Sequence, residues 1–270
     1  MKISFAQLVF FVAPAVIAPH SQAQEWKKAR YDSVWIAITP SQIKMQLRQN
    51  QKDVVGAYQL WRRASYQGRS QDYFAELQRL QMEQPSNGRW LALRCAVIEE
   101  SILYGHTSLL ATLSQAERSY EVRRADLDKA EKMMPKLWLN FMTESNLISW
   151  KTGKTDISVL RQQVAFSRKA VQLAPDLSFP RKNLAGQLSN LSFYGKTSDA
   201  EAVHQYQLAR RLAPRNFAPA LGLTFHYRYN HPNAVERKKA EAQVLATIPP
   251  NIKLSAPLLK TLTSNGITPP

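Results

Sequence analysis

The chain has 270 residues, with 36 Lys and Arg against 20 Asp and Glu, a formal charge of +16 and a single cysteine. One cysteine excludes an internal disulfide framework, and the length suits one domain or one extended repeat array held by its own core. The charge selects anionic partners.

Residues 1–23 have the pattern of an export signal peptide. Lys2 is a short positive start, Phe5 to Ala18 is mostly apolar, and Ser21-Gln22-Ala23 offers small residues at a peptidase site. The apolar run is shorter than the roughly 20 residues a spanning helix needs. No cysteine follows it to carry a lipoprotein anchor, and no later segment could cross a bilayer. The expectation is an exported protein, periplasmic or secreted, that begins near Gln24 and is not an integral membrane protein. With Lys2 removed, 35 basic residues face 20 acidic ones, a charge of +15. Outside the cytosol the anionic partners to expect are lipid head groups, phosphorylated glycans, wall polymers and acidic proteins, and nucleic acid is not expected. The plain alternative is a basic surface that serves solubility.

Residues 24–53, rich in Trp, Lys and Arg, form an N-terminal segment with room for a capping helix. "YDSVWIAI", 31–38, is the one strand candidate. Thr39-Pro40-Ser41-Gln42 then has a capping threonine, a first-turn proline and a glutamine three residues on, the signature of a helix start. Ser198 to Glu201 and Asn233 to Glu236 repeat that spacing. Apolar residues recur at three and four, as in Leu184, Leu188, Leu191 and in Val203, Tyr206, Ala209, which predicts helix after helix. Gly68, Gly105, Gly153 and Gly195 fall where helices should end.

A period underlies this pattern. "DKAEKMMP", "RKAVQLAP", "QLARRLAP" and "EAQVLATIP" end at Pro135, Pro175, Pro214 and Pro249, spaced by 40, 39 and 35 residues. Ala130, Ala170 and Ala209 sit five before the first three of these prolines, and Met133, Leu173 and Leu212 sit two before. Pro85 fits more loosely, 50 residues ahead of Pro135. The tenth residue after each proline is small or nearly so: Cys95, Ser145, Ala185 and Thr224. A small residue at a fixed place lets a neighbouring helix approach closely.

The pattern resembles the tetratricopeptide repeat (TPR) family, helix–turn–helix units of 34 residues, over residues 54–251. The unit 178–214 matches best, with Leu184, Ala185, Ala202, Tyr206, Ala209 and Pro214. Units of 35 to 50 residues depart from the family norm, its first-helix aromatics are mostly missing although Tyr227 fits, and the 86–135 unit reads as having a long second helix near 108–134. The resemblance implies an all-α, right-handed solenoid of stacked hairpins; residues 252–270 read as a C-terminal tail, loose after Pro257. It further implies a scaffold or adaptor that holds a protein or peptide partner against the first helices. Carried across by the proline register, the family's groove positions are Arg89, Glu99, Met142, Asn146, Trp150, Lys182, Asn190, Phe225, Arg228 and Tyr229.

Other chemistry is sparse. "SWKTGKTD" and "FYGKTSD" contain Gly-Lys-Thr, but a phosphate loop needs a glycine five residues earlier, where Ile148 and Asn190 stand. Both triplets, and the related "LYGHTS", read as hairpin turns. Cys95 reads as a packing residue in the small-residue register. His106, His204, His226 and His231 make no i,i+4 pair, and the His226/His231 spacing beside Pro232 suits a turn better than a metal site. Neither catalysis, nor a cofactor, nor a metal is expected. Basic clusters recur at Arg62-Arg63, Arg123-Arg124, Arg168-Lys169, Arg181-Lys182, Arg210-Arg211 and Arg237-Lys238-Lys239. They read as a solvated outer face, or alternatively as a stripe for an anionic envelope polymer or lipid head group.

Overall fold

A computed structural model describes residues 34–49, 51–150, 156–195, 199–249 and 252–269. The export-signal reading and the first Gly-Lys-Thr triplet lie outside these residues.

The described chain is helical throughout, with no strand. Helix α1 (Pro40–Gln49) starts as its sequence predicts: Gln42 N–H donates to Thr39 Oγ1 at 3.2 Å, and Gln42 Oε1 accepts from Thr39 N–H at 2.9 Å. Residues 34–38, the described part of the strand candidate, are turn and coil; Arg63 and Gln67 side chains donate to their carbonyls, as at Ala37 (2.8 Å) and Val34 (2.8 Å).

Five helix pairs follow. They are α2 (Val54–Tyr66) with α3 (Ser70–Glu83), α4 (Gly88–Tyr104) with α7 (Tyr120–Met133), and α8 (Trp138–Leu147) with α9 (Ile157–Leu173). The last two are α10 (Ser178–Phe193) with α11 (Asp199–Leu212), and α12 (Ala218–Phe225) with α13 (Ala234–Leu245). Pro85, Pro135, Pro175, Pro214 and Pro249 each stand just past a second helix, so the period marks real hairpins. The TPR-like, all-α reading thus holds at the level of the fold. The long second helix expected near 108–134 is instead three pieces: α5 (Thr107–Leu110), α6 (Gln115–Arg118) and α7. Ser114 and Ser119 each restart the helix by accepting a backbone N–H, from Glu117 at 3.2 Å and from Val122 at 3.3 Å. Two serine caps five residues apart outweigh the helical periodicity around them.

The small-residue register explains the stacking. Cys95, Ser145, Ala185 and Thr224 are all buried, at 6%, 0%, 0% and 1% exposure. Ser145 Oγ lies 2.8 Å from Ser167 Oγ on the paired helix, and Ala185 packs with Tyr206, Leu223 and Ala240. At Gly222 a Cβ would run into the Tyr206 ring, so glycine is required there. Ala185→Trp would force these helices apart; overpacking of this kind costs about 1–3 kcal/mol or more. The expected result is a melting temperature lowered by several degrees, and a melting curve identical to the parent would disprove the register.

The two ends of the described chain meet. Helix α14 (Ala256–Ser264) forms within the expected loose tail and packs on α2. Leu258, Leu262 and Ile267 share a buried cluster with Val34, Trp35, Phe217 and Val244. Phe217 joins the halves directly, with its ring 5.6 Å from Trp35 and 5.0 Å from Tyr66. Ser255 Oγ donates to the Tyr66 carbonyl, and Pro257 sits 3.5 Å from where a Gly68 Cβ would be. The stack is closed on itself.

Candidate functional site: an open cavity

Closure turns the inner face of the stack into a cavity of about 1000 Å³, walled by residues of α2, α4, α8, α9, α10, α12 and α14. Its size is at the upper end for a ligand site. Twelve large hydrophobic side chains among the described residues are strongly exposed, and six of them line it: Leu103, Tyr104, Phe193, Tyr194, Phe225 and Tyr229. Apolar surface left open to water in one place marks a recognition surface.

The polar wall has two parts. On α10, Lys182, Asn183, Gly186, Gln187 and Asn190 recur at helical spacing and face inward. Asn183 Nδ2 donates to Asn146 Oδ1 at 3.2 Å. The buried Gln187 Oε1 has no hydrogen-bond partner among the described residues. The second part, Arg62 and Tyr104, adjoins a small recess that holds Glu100, 4% exposed, whose carboxylate accepts from Tyr58 Oη, from Trp61 Nε1 at 2.7 Å and from Arg62 Nη1 at 3.1 Å. Arg62 also donates to Tyr66 Oη at 2.8 Å, and its guanidinium lies 5.1 and 5.6 Å from the Tyr66 and Tyr104 rings. Lys182 Nζ donates to Tyr104 Oη at 3.0 Å. Burial alone would pull the Lys182 ammonium down, but Tyr104 beside it holds its pKa above the ordinary value. Two cations therefore face one buried carboxylate at this end.

Of the ten positions expected in the groove, Asn146, Lys182, Asn190, Phe225 and Tyr229 line the cavity. Met142 is buried in a small recess beside Glu100. Glu99 points away from the cavity; it is 2% exposed and pairs with Arg123 at 2.6 Å, and burial pushes its carboxyl up to about 7. Arg89 stands in the first turn of α4, outside the cavity wall, with its N–H on Asn87 Oδ1 at 3.2 Å. Arg228 lies 5.7 Å from the Tyr229 ring and its guanidinium fills the space against Gly266, bracing the closure. The side chain of Trp150 lies outside the described residues. The proline register misses Leu103, Tyr104, Phe193 and Tyr194. They sit in "LYG" and "FYG", where Gly105 and Gly195 take φ of +64° and +66° to end the first helices. That recurrence of an apolar residue, tyrosine and turn glycine was the available signal.

Two of the basic clusters turn an arginine inward instead of adding to an outer stripe. The Arg62 and Arg123 side chains are 12% and 7% exposed and face inward to Glu100 and Glu99. Arg124 is tied to Asp128 and Glu144, and Arg168 pairs with Glu201 at 2.9 Å. Arg123, on the second helix α7, is buried where Glu99 of the first helix α4 meets it.

No protein-family model and no curated protein matches this sequence. Solved structures that resemble the chain include two TPR proteins. YrrB, described as a TPR protein with an unusual peptide-binding site, is 11% identical over 79% of this chain and 95% of its own, with a TM-score of 0.40. A thermophilic TPR protein of Thermus thermophilus is 16% identical over 83% of this chain and 95% of its own, with a TM-score of 0.43. Likeness at this level says nothing of this chain's ligand; the hairpin stack stands on its own helices. Among the described residues, no helix is long and apolar enough to cross a membrane.

Proposed function

We propose that this protein is an exported, non-catalytic binding scaffold that takes an extended peptide segment of a protein partner into its cavity. The carrying observation is the gathering of Leu103, Tyr104, Phe193, Tyr194, Phe225 and Tyr229, all open to water, on one concave wall. Aromatic anchors of this kind dominate binding energy, and the amides of Asn183, Gln187 and Asn190 beside them suit a peptide backbone. Export rests on the leader-like residues 1–23.

The test is capture of peptides from a digest of envelope proteins on the immobilised chain, at low and high salt. A discrete set retained at high salt is expected, with affinity falling at least tenfold in the double variant Phe225→Ala, Tyr229→Ala. Retention unaffected by that variant would refute the cavity as the site. Material lost at moderate salt would instead favour an anionic envelope polymer or lipid head group on the outer basic residues.

A further inference from the structure

A histidine pair stands behind the aromatic wall of the cavity, and the hairpin reading does not use it. The main chain leaves α12 through a π turn, His226–Asn230, in which His231 N–H donates to the His226 carbonyl at 2.9 Å. Such wide turns are often found at functional sites. This one carries Tyr229 and Asn230 into the cavity wall and follows directly on Phe225, whose ring lies 4.6 Å from that of Tyr229. The imidazoles of His226 and His231 stack at 6.2 Å and 20°.

His226 is 0% exposed. Its Nδ1 lies 2.7 Å from Ser189 Oγ on α10. Asn230 Nδ2 donates to that oxygen at 2.7 Å and to the Ser189 carbonyl at 2.9 Å, which ties the turn to α10. The network is complete when the ring is neutral and Nδ1 accepts the Ser189 hydroxyl proton. A second proton on the ring would set two donors on one oxygen and leave that hydroxyl without its acceptor. The other ring nitrogen, Nε2, has no hydrogen-bond partner among the described residues. Asp199 Oδ1, on α11, is 4.0 Å away, too far for a hydrogen bond. That carboxylate already serves His231 Nδ1 at 2.9 Å and Ser192 Oγ. The other charges near the turn are engaged elsewhere: Glu236 and Lys239 of α13 pair with each other at 2.6 Å, and the Arg228 guanidinium lies against Gly266. A cation at His226 would thus be buried with no counter-ion of its own, and an uncompensated buried charge is costly.

We propose that His226 makes this wall of the cavity acid-sensitive: a proton taken up by its ring breaks the Ser189 tie and loosens the π turn that holds Phe225 and Tyr229 in place. The consequence for binding, a weaker grip in mild acid, rests on the cavity being the binding site; the loosening itself does not. Burial outweighs the pull of Asp199 and, with His231 opposing the charge as well, holds the His226 pKa below its ordinary 6.5. An opened turn therefore takes up a proton before a closed one does. The closed turn is at full strength above pH 6.5 and weakens as pH falls below it. Glu99, pushed up to about 7, gains its proton in the folded state over the same interval and acts with the opposite sign. A global melting curve mixes the two effects, so the measurement has to be local.

Hydrogen exchange of the full chain, without ligand and corrected for the intrinsic effect of pH, should be compared at about pH 7.5 and about pH 5.5. Protection across residues 222–233 is expected to fall at least threefold more than protection in α8 and α9. His226→Gln keeps a neutral polar side chain there and should abolish that difference. Because His226 is a core residue, two variants at more exposed positions guard the test. His231→Gln, at a 56% exposed side chain, removes the opposing ring and should shrink the loss, whereas Asp199→Asn removes the attracting carboxylate and should enlarge it. A turn whose protection relative to α8 and α9 ignores pH would overturn the switch, as would a loss that none of the three variants alters. Neither result involves a ligand, so the peptide reading stands or falls separately.

Discussion

Glu100→Ala is expected to destabilise the protein by about 3 kcal/mol, a fall in melting temperature of roughly 6–12 °C for a chain of this size. The carboxylate joins α4 to α2 through three donors, Tyr58, Trp61 and Arg62, in a site where it is 4% exposed. Removing one partner of a buried pair leaves the other charge uncompensated and costs about 3–5 kcal/mol. The Arg62 side chain keeps 12% exposure at the cavity wall, so water there should hold the loss to the lower end. The pH dependence follows. Burial pushes the Glu100 carboxyl up, but Arg62, Tyr58 and Trp61 outweigh it and hold the pKa below its ordinary 4.5. A carboxylate depressed in the folded state contributes stability above the unfolded pKa and loses it as pH falls through the folded pKa. The gap between parent and variant should therefore be full at neutral pH and narrow below pH 4.5. Chemical denaturation at neutral pH and again well below the ordinary carboxylate range measures both; a neutral-pH loss under about 1 kcal/mol would show that the hub is not structural.

Phe217→Ala should cost about 3–5 kcal/mol, the range for a buried aromatic, and the damage should be regional. Phe217 is 0% exposed and holds Trp35 from the start of the described chain and Tyr66 from α2, in the same cluster as Leu258 and Leu262 of α14. Hydrogen exchange should therefore quicken in α2, α12 and α14 well before α8 and α9. Uniform quickening along the chain would mean that Phe217 is an ordinary core residue and that the closure is held elsewhere.

What the sequence made legible was everything that repeats. Prolines past second helices, buried small residues at Cys95, Ser145, Ala185 and Thr224, and glycines at helix ends all answer to local backbone chemistry that recurs in each hairpin. The site was half legible for the same reason. Asn146, Lys182 and Phe225 fall where a period places them, whereas Glu99 and Glu100 differ by one position and point to opposite partners, Arg123 and Arg62. Which partner each of two adjacent side chains meets is set by packing between helices, and periodicity does not record it. The π turn at His226 and the docking of α14 are single events with no second copy to compare, so no register could reveal them.

An open hairpin array can gain or lose a unit by duplication, because each unit touches only its neighbours. This one cannot. The bond between Tyr66 and Ser255 spans 189 residues of sequence, and one hairpin more or fewer would carry α14 away from α2. The closure thus fixes the number of hairpins. Closing the ring also brings together residues 189 apart in sequence, so the cavity exists only at the cost of a long loop closure.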